Sequence, residues 1–248
     1  HGFAYPRALA LSEPLARAGA DLVVWPETGF DDYFAHPRVA AALRRSVAGL
    51  DAALIFQGMQ VESGEQFNSA ALIGRDGEEQ GRYRKIQRVA FGEYLPLLEA
   101  FPRTGSRVRE QLGGFFSKVS AGERPGRFAV AGLEALPLIC YEALFPELVA
   151  GAARGGGAAE LLVVLSNNAW FGASRQPYQH LNASVLRAVE NRRPLLHVIN
   201  NGPSAVVLPS GRRLLQSEYG QEAAYWVDIP APGSAADSFF TRHPTLFL

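Results

Sequence analysis

Short apolar runs rich in β-branched residues alternate along this chain with alanine-rich amphipathic stretches, and that alternation points to a layered α/β fold. Residues 8–18 read as a helix closed by Gly19, and residues 21–25 follow as a buried strand stopped by Pro26. Residues 39–50 repeat the helical pattern and 52–60 the strand pattern. The segments 68–73 and 80–84 flank Gly74-Arg75-Asp76-Gly77, whose Asp-Gly pair signals a hairpin. Residues 128–133 and 135–140 read as successive strands joined near Glu134, 145–154 as a helix, 161–166 as a strand and 179–191 as a helix closed before Pro194. Residues 195–200 and 204–208 pair across Asn201-Gly202, 213–216 follow the Ser210-Gly211 turn, and 223–229 are expected to form a last strand. Strand pairs set between helices imply two sheets packed face to face with helices on both outer faces, a four-layer αββα sandwich.

At 248 residues, 48% hydrophobic and 19% charged, the chain suits one domain. Its 24 basic residues balance 24 acidic ones, so no net field draws it to nucleic acid or to an acidic membrane surface, and any partner is recognised locally. A single cysteine, Cys140, excludes an internal disulfide. No run approaches the roughly 18 apolar residues of a membrane helix: residues 161–165 run at once into Ser166-Asn167-Asn168. With no initiator Met and no signal peptide, His1 reads as a cut end or the first ordered residue, and the gene is expected to be longer. No metal-ligand spacing is present, so neither a metal nor an organic cofactor is expected.

A lone cysteine is more often a small buried hydrophobe than a nucleophile, but Cys140 ends the apolar run Leu136-Pro137-Leu138-Ile139 just before a helix near Pro146. A strand-to-helix turn there exposes the thiol beside free backbone N–H groups. Histidine, the usual thiol activator, offers little. His1, His36 and His243 lie at ends or in polar segments, His197 lies inside an apolar strand as a satisfied core imidazole, and His180 starts a helix where it can line a pocket. A Cys/His/Asn protease is therefore poorly supported. A carboxylate in a dry pocket can accept the thiol proton instead, and a nearby ammonium can favour thiolate and oxyanion. Glu27, directly after the strand in Val24-Trp25-Pro26-Glu27-Thr28, fits the first role or is a solvated loop acid. Lysine occurs only at Lys85 and Lys118, the other basic residues all being Arg, so Lys85 reads as a compact ammonium that guanidinium cannot replace, or as a chance surface lysine.

Three ordered stretches carry a resemblance: Trp25-Pro26-Glu27-Thr28; Arg82-Tyr83-Arg84-Lys85 with Phe91-Gly92-Glu93-Tyr94-Leu95-Pro96; and Ile139-Cys140-Tyr141-Glu142. Together they resemble the nitrilase superfamily of Glu-Lys-Cys amidases and acyltransferases, and the likeness continues through residues 166–172, Gln179-His180, Arg187-Ala188-Val189-Glu190 and Arg193-Pro194. Within it the chain is most similar to the apolipoprotein N-acyltransferases. The resemblance implies an αββα catalytic domain over residues 1–248, lacking its first strand and the membrane helices on either side, on the periplasmic face of a bacterial inner membrane. It further implies a phospholipid acyl donor and a lipoprotein N-terminus as partners. By motif, Cys140 is the acylated nucleophile, Glu27 the general base and Lys85 the oxyanion cation. Glu93 and Glu142 are then supporting acids that hold Lys85 and shape the pocket, beside Tyr141, while Trp25, Phe91, Tyr94, Trp170, Phe171 and His180 are candidate substrate-binding residues.

The chain departs from the family pattern at Lys85-Ile86-Gln87, Asn167-Asn168-Ala169-Trp170 and Asn200-Asn201-Gly202-Pro203-Ser204, which leaves the triad intact and bears on substrate choice. Phe91, Tyr94, Leu95, Leu97, Leu98, Phe101, Phe115 and Phe116 crowd one long segment without steady period, which serves either as an acyl-chain entrance or as packing over the core. Two other functions stay open: a soluble nitrilase-type amidase acting on a small amide or nitrile, which would be cytoplasmic, and a non-catalytic assembly or interaction module, for instance of a secretion or conjugation apparatus. An intact Glu27, Lys85 and Cys140 speaks against the second.

Overall fold

The structure is a computed structural model that describes residues 7–27, 30–96, 119–154, 159–230 and 237–247. In chain order the main elements are α1 (Arg7–Arg17), β1 (Leu22–Val24), α2 (Asp32–Ala35), α3 (Pro37–Leu50), β2 (Ala53–Glu62), β3 (Glu65–Ile73) and β4 (Glu79–Arg84). Then come β5 (Phe128–Val130), β6 (Leu133–Ile139), α4 (Pro146–Ala153), β7 (Leu161–Asn167), α5 (Gln176–Asn191), β8 (Leu195–Asn200), β9 (Ala205–Val207), β10 (Arg213–Gln216) and α6 (Phe239–Arg242). One sheet has the order β1-β2-β3-β4 and the other β10-β9-β8-β7-β6-β5. This is the expected sandwich, a mixed α/β fold of two sheets with flanking helices.

The alternation within β2 shows why four layers form. Ala53 and Ile55 point inward and meet Ala135, Ile139, Val163 and Leu165 of the other sheet. Leu54 and Phe56 point outward, against Leu9 of α1 and Leu43 and Val47 of α3. Strands buried on both faces read as continuous apolar runs, which is the pattern in the sequence. On the far side Leu136, Leu138, Leu162 and Val164 pack against Val149 of α4 and Leu181 of α5. β6, β7 and β8 run parallel, with α4 and α5 as the crossovers between them. β1 is parallel to β2, and β4 again runs in their direction because β2, β3 and β4 are successively antiparallel.

Both short hairpins use a two-residue turn with left-handed dihedrals, Ser63 (φ 51) with Gly64 (φ 80) and Ala131 (φ 51) with Gly132 (φ 77). This turn matches the strand twist and favours glycine at its second position. The second turn corrects the expected joint near Glu134: Val130 pairs with Leu133, and Glu134 is already in the ladder opposite Ala129. The expected strand over 223–229 does not form. Those residues carry no ladder bonds, Trp226 is 53% exposed, and of them only Ile229 packs against the inner core. Most of the aromatic-rich segment expected to be an entrance or a packing layer, and Lys118 with it, lies outside the described residues.

Candidate active site

In parallel α/β sheets the carboxyl ends of the strands are where loops can bring side chains together. Glu27 follows β1, Lys85 follows β4, Cys140 follows β6, and Asn167 and Asn200 end β7 and β8. The two sheets meet at this edge. The backbone N–H of Asn167 donates to Glu27 Oε2 at 3.0 Å and Asn200 Nδ2 donates to the Glu27 carbonyl at 2.7 Å, so the second sheet holds the acid delivered by the first.

Glu27 is buried, and Asn68 Nδ2 on β3 donates to its Oε1 at 2.8 Å. Asn68 is itself aimed by Gln57 Nε2, at 2.7 Å. Burial pushes the Glu27 pKa above the usual carboxylate range, while Lys85 and the Asn68 bond pull the other way. Lys85 is 1% exposed and its Nζ donates to Glu93 Oε1 at 2.7 Å. Its backbone is fixed on both sides, N–H to Asn68 O at 2.9 Å and carbonyl to Gly122 N at 2.8 Å. Gly122 must be glycine, since a Cβ there would lie 2.1 Å from the Arg84 carbonyl. Burial works against the Lys85 charge, but Cys140, Glu93 and Glu27 outweigh it and hold the pKa above the usual lysine value.

Cys140 sits at the turn out of β6 with φ 53, a left-handed conformation that costs a non-glycine residue about 1 kcal/mol or more and persists only where the surroundings over-determine it. Burial and the Glu27 carboxylate push its thiol up to about 11, against the pull of the Lys85 ammonium and the Ser166 hydroxyl. At neutral pH the sulfur is therefore a protonated thiol, flanked by a buried acid and an ammonium that are both close enough to shift its ionisation. Such an arrangement can take a proton from sulfur as it attacks and can stabilise negative charge on an oxygen beside it.

Two sequence-based assignments need correction. Glu93 holds Lys85, but Glu142 does not. Glu142 is fully buried and accepts from Tyr83 Oη (2.6 Å), Ile86 N (2.8 Å), Gln87 N (3.1 Å) and Ile139 N (2.8 Å). It joins the segment after Lys85 to the strand end before Cys140, and burial raises its pKa despite these donors. Trp25 does not face the site either. It is buried in the outer core with Leu9 and Tyr33 and donates its indole N–H to Ser12 Oγ at 3.0 Å, because its neighbour Val24 takes the inward side of β1.

The other candidates divide by exposure. Phe91 (66%), Trp170 (83%) and Phe171 (49%) are open to solvent, and Tyr141 (37%) packs edge-on against Phe145. Tyr94 is half-buried under the guanidinium of Arg88. His180 is buried behind the elbow, with Nε2 at 3.1 Å from the Cys140 carbonyl, so it is not a wall that a ligand touches. Gln57, Asn68, Asn167 and Asn200 had no assigned role. The available signal was polar amides placed in or at the ends of otherwise apolar strands, which must find partners when buried.

The carbon-nitrogen hydrolase family model matches residues 4–234. The chain belongs to the carbon-nitrogen hydrolase family, the nitrilase superfamily. It is 33% identical over 248 residues to the apolipoprotein N-acyltransferase of Geobacter metallireducens, covering 96% of this chain and 45% of that protein. It is 34% identical over 223 residues to the Bradyrhizobium diazoefficiens enzyme of the same name, covering 86% and 40%. The chain thus spans less than half the length of these curated relatives. Among solved structures, an amidase of the nitrilase superfamily from Nesterenkonia AN1 superposes with a TM-score of 0.62 at 23% identity, over 86% of this chain and 79% of that one. At that identity the likeness concerns the fold. No helix among the described residues is long and apolar enough to cross a membrane.

Proposed function

We propose that these 248 residues are the catalytic domain of an acyltransferase that moves a fatty acyl chain from a phospholipid to the N-terminal amine of a diacylglyceryl-cysteine lipoprotein. In this reading the domain belongs to a longer protein whose membrane segments hold it at the periplasmic face of a bacterial inner membrane. The observation that carries the reading is the meeting of Glu27, Lys85 and Cys140 at one sheet edge, in a chain about one-third identical over most of its length to apolipoprotein N-acyltransferases.

The chemistry follows from the protonation states. A thiol held near 11 needs a base at the moment of attack, and Glu27, whose carboxylate burial makes more basic than an ordinary one, can accept that proton. Sulfur attacks the ester carbonyl of the phospholipid while the Lys85 ammonium and a backbone N–H near Tyr141 stabilise the oxyanion. The tetrahedral intermediate collapses, the C–O bond breaks, and the lysophospholipid hydroxyl leaves with the proton from Glu27. The lipoprotein amine then attacks the thioester, Glu27 takes a proton from it, and sulfur departs and recovers that proton. Two half-reactions at one site predict ping-pong kinetics.

The test is to incubate the protein with a labelled phospholipid in mixed detergent micelles and measure the mass of the Cys140 peptide. The expected result is a fatty acyl adduct cleaved by hydroxylamine and discharged by a diacylglyceryl-cysteine peptide. Near-normal turnover by Cys140→Ser, or an adduct on another residue, would overturn the covalent scheme. Ammonia release from a small amide without acyl transfer would instead assign the site to a hydrolase.

A further inference from the structure

Cys140 is held in a left-handed conformation by something other than its own preference, and one side chain that bonds the elbow directly lies on α5. His180 Nε2 lies 3.1 Å from the Cys140 carbonyl, and its Nδ1 lies 3.4 Å from the side-chain amide of Asn168. The ring is 3% exposed and stands edge-on to His197 at 5.0 Å, while His197 Nδ1 bonds Ser184 Oγ at 3.0 Å, one turn further along α5. Carbonyl oxygen can only accept, so Nε2 must carry a proton. Burial, the largest cause, and the Lys85 charge push the imidazole down to about 4, so the ring is neutral and Nδ1 is an acceptor. An acceptor requires the amide nitrogen of Asn168 opposite it, and Asn168 Nδ2 is a buried donor with no partner among the described residues in the drawn orientation. Turning that amide by half a rotation satisfies both atoms, and amide orientation follows from the network in this way.

The bridge reaches further than the cysteine. Asn168 N donates to the Asn200 carbonyl at 2.9 Å, its neighbour Asn167 donates to Glu27 Oε2, and Asn200 donates to the Glu27 carbonyl. We propose that His180 is a positioning residue for this site: fixed as the neutral Nε2–H tautomer, it ties the Cys140 elbow to the Asn167-Asn168 turn and so keeps sulfur and carboxylate in register. The inference rests on the reading of Cys140 as nucleophile and Glu27 as its base.

The experiment compares alkylation of Cys140 by a small haloacetamide, which needs no physiological acyl donor, with steady-state transfer. His180→Leu fills the space without a donor, whereas His180→Gln places an amide N–H near the Nε2 position. His180→Leu is expected to slow alkylation and kcat by up to about 100-fold with KM nearly unchanged, the scale on which misplacement of about an ångström acts, and His180→Gln to recover most of the loss. A His180→Leu rate within about twofold of wild type, or His180→Gln falling as far as His180→Leu, overturns the proposal. If His180→Leu does not fold, nitrogen NMR of the wild-type ring decides. Nδ1 unprotonated and Nε2 protonated from about pH 5 to pH 9 supports it, and the opposite tautomer or a titration in that range overturns it. Glu27→Gln separates the two levels. If it alkylates as fast as wild type, the base assignment fails, whereas a slow Glu27→Gln beside a normal His180→Leu removes only the positioning role.

Discussion

The two sheets build the same site by different means. In the proposed mechanism the four-stranded sheet supplies the reactive charges, Glu27 after β1 and Lys85 after β4, and side-chain bonds with Asn68 and Glu93 fix them. The six-stranded sheet supplies one atom that reacts in that mechanism, the Cys140 sulfur, and otherwise acts mostly through bonds with a backbone group on at least one side. Its elbow is left-handed, its Asn167 N–H meets Glu27, and its Glu142 carboxyl gathers three backbone N–H groups and the Tyr83 hydroxyl. A buried ammonium between carboxylates cannot be replaced by another group of different shape, whereas a backbone-held turn can shift by fractions of an ångström and still be populated. Cys140 itself apart, loss of a charged group in the first half should therefore remove chemistry, and substitutions in the second should misplace it.

The largest effects test that division directly. Cys140→Ala should form no acyl-enzyme, and Lys85→Ala should lower the rate of its formation about 100- to 1,000-fold, the usual cost of an oxyanion donor. Lys85→Arg should recover little, because a planar guanidinium does not fit a site that leaves the lysine 1% exposed. Single-turnover acylation measures both. A Lys85→Ala rate within about tenfold of wild type would mean that the four-stranded half does not hold the charge that matters.

Glu142→Gln comes next. The amide keeps one oxygen but turns an NH2 toward a backbone N–H, so the clamp between the Lys85 segment and the Cys140 elbow opens at one side. Leaving a buried donor unpaired costs about 1–3 kcal/mol, visible in chemical denaturation, and the shifted elbow should lower kcat about 10- to 100-fold. Loss of stability with kcat unchanged would show that Glu142 holds the fold and not the geometry of the thiol.

A smaller effect, with a definite sign, is expected at Asn68. Its bond favours the ionised form of Glu27, whose pKa burial already holds high. Asn68→Ala removes about 1 kcal/mol of stabilisation from the anion, so the Glu27 pKa rises further. A base works only when deprotonated, so the acidic limb of the kcat/KM profile should move to higher pH while the plateau changes little. Because the folded state then holds this proton more tightly than the unfolded chain, stability from this group is present at low pH and lost as pH rises through the folded value. A limb that stays fixed or moves to lower pH would show that Glu27 is not the group controlling it.

Much of the fold was legible because strands buried on both faces and helices buried on one leave different periods, as in β2 against α3. The segment over 223–229 misled for the same reason: Tyr225, Trp226 and Val227 have strand composition, but no neighbouring strand receives their ladder bonds. At the site, Glu27, Lys85 and Cys140 could be marked by residue type and place after strands, and Glu93 by the motif over residues 91–96. What could not be read was direction. Trp25 and Glu27 are two apart and part company at Pro26, and nothing local shows that His180 turns to a carbonyl 40 residues away. Glu142 was marked as an acid near a lysine, yet its partners are the Tyr83 hydroxyl and three backbone N–H groups, and backbone groups carry no sequence signal.

Trp25→Phe is the mildest of these tests and the one that probes how local the division is. The indole fills the outer core beside Phe56 and donates to Ser12, so the change removes one buried hydrogen bond and part of a ring. The loss should be about 1–2 kcal/mol, or roughly 2–8 °C in Tm for a domain of this size. Its effect on acylation should be under about threefold, because the Glu27 carboxylate is held by Asn68 and Asn167 rather than by the strand in front of it. A kcat that falls with the stability would mean that the outer core sets the position of the acid. The four-stranded half would then share the dependence on backbone placement that otherwise marks its partner.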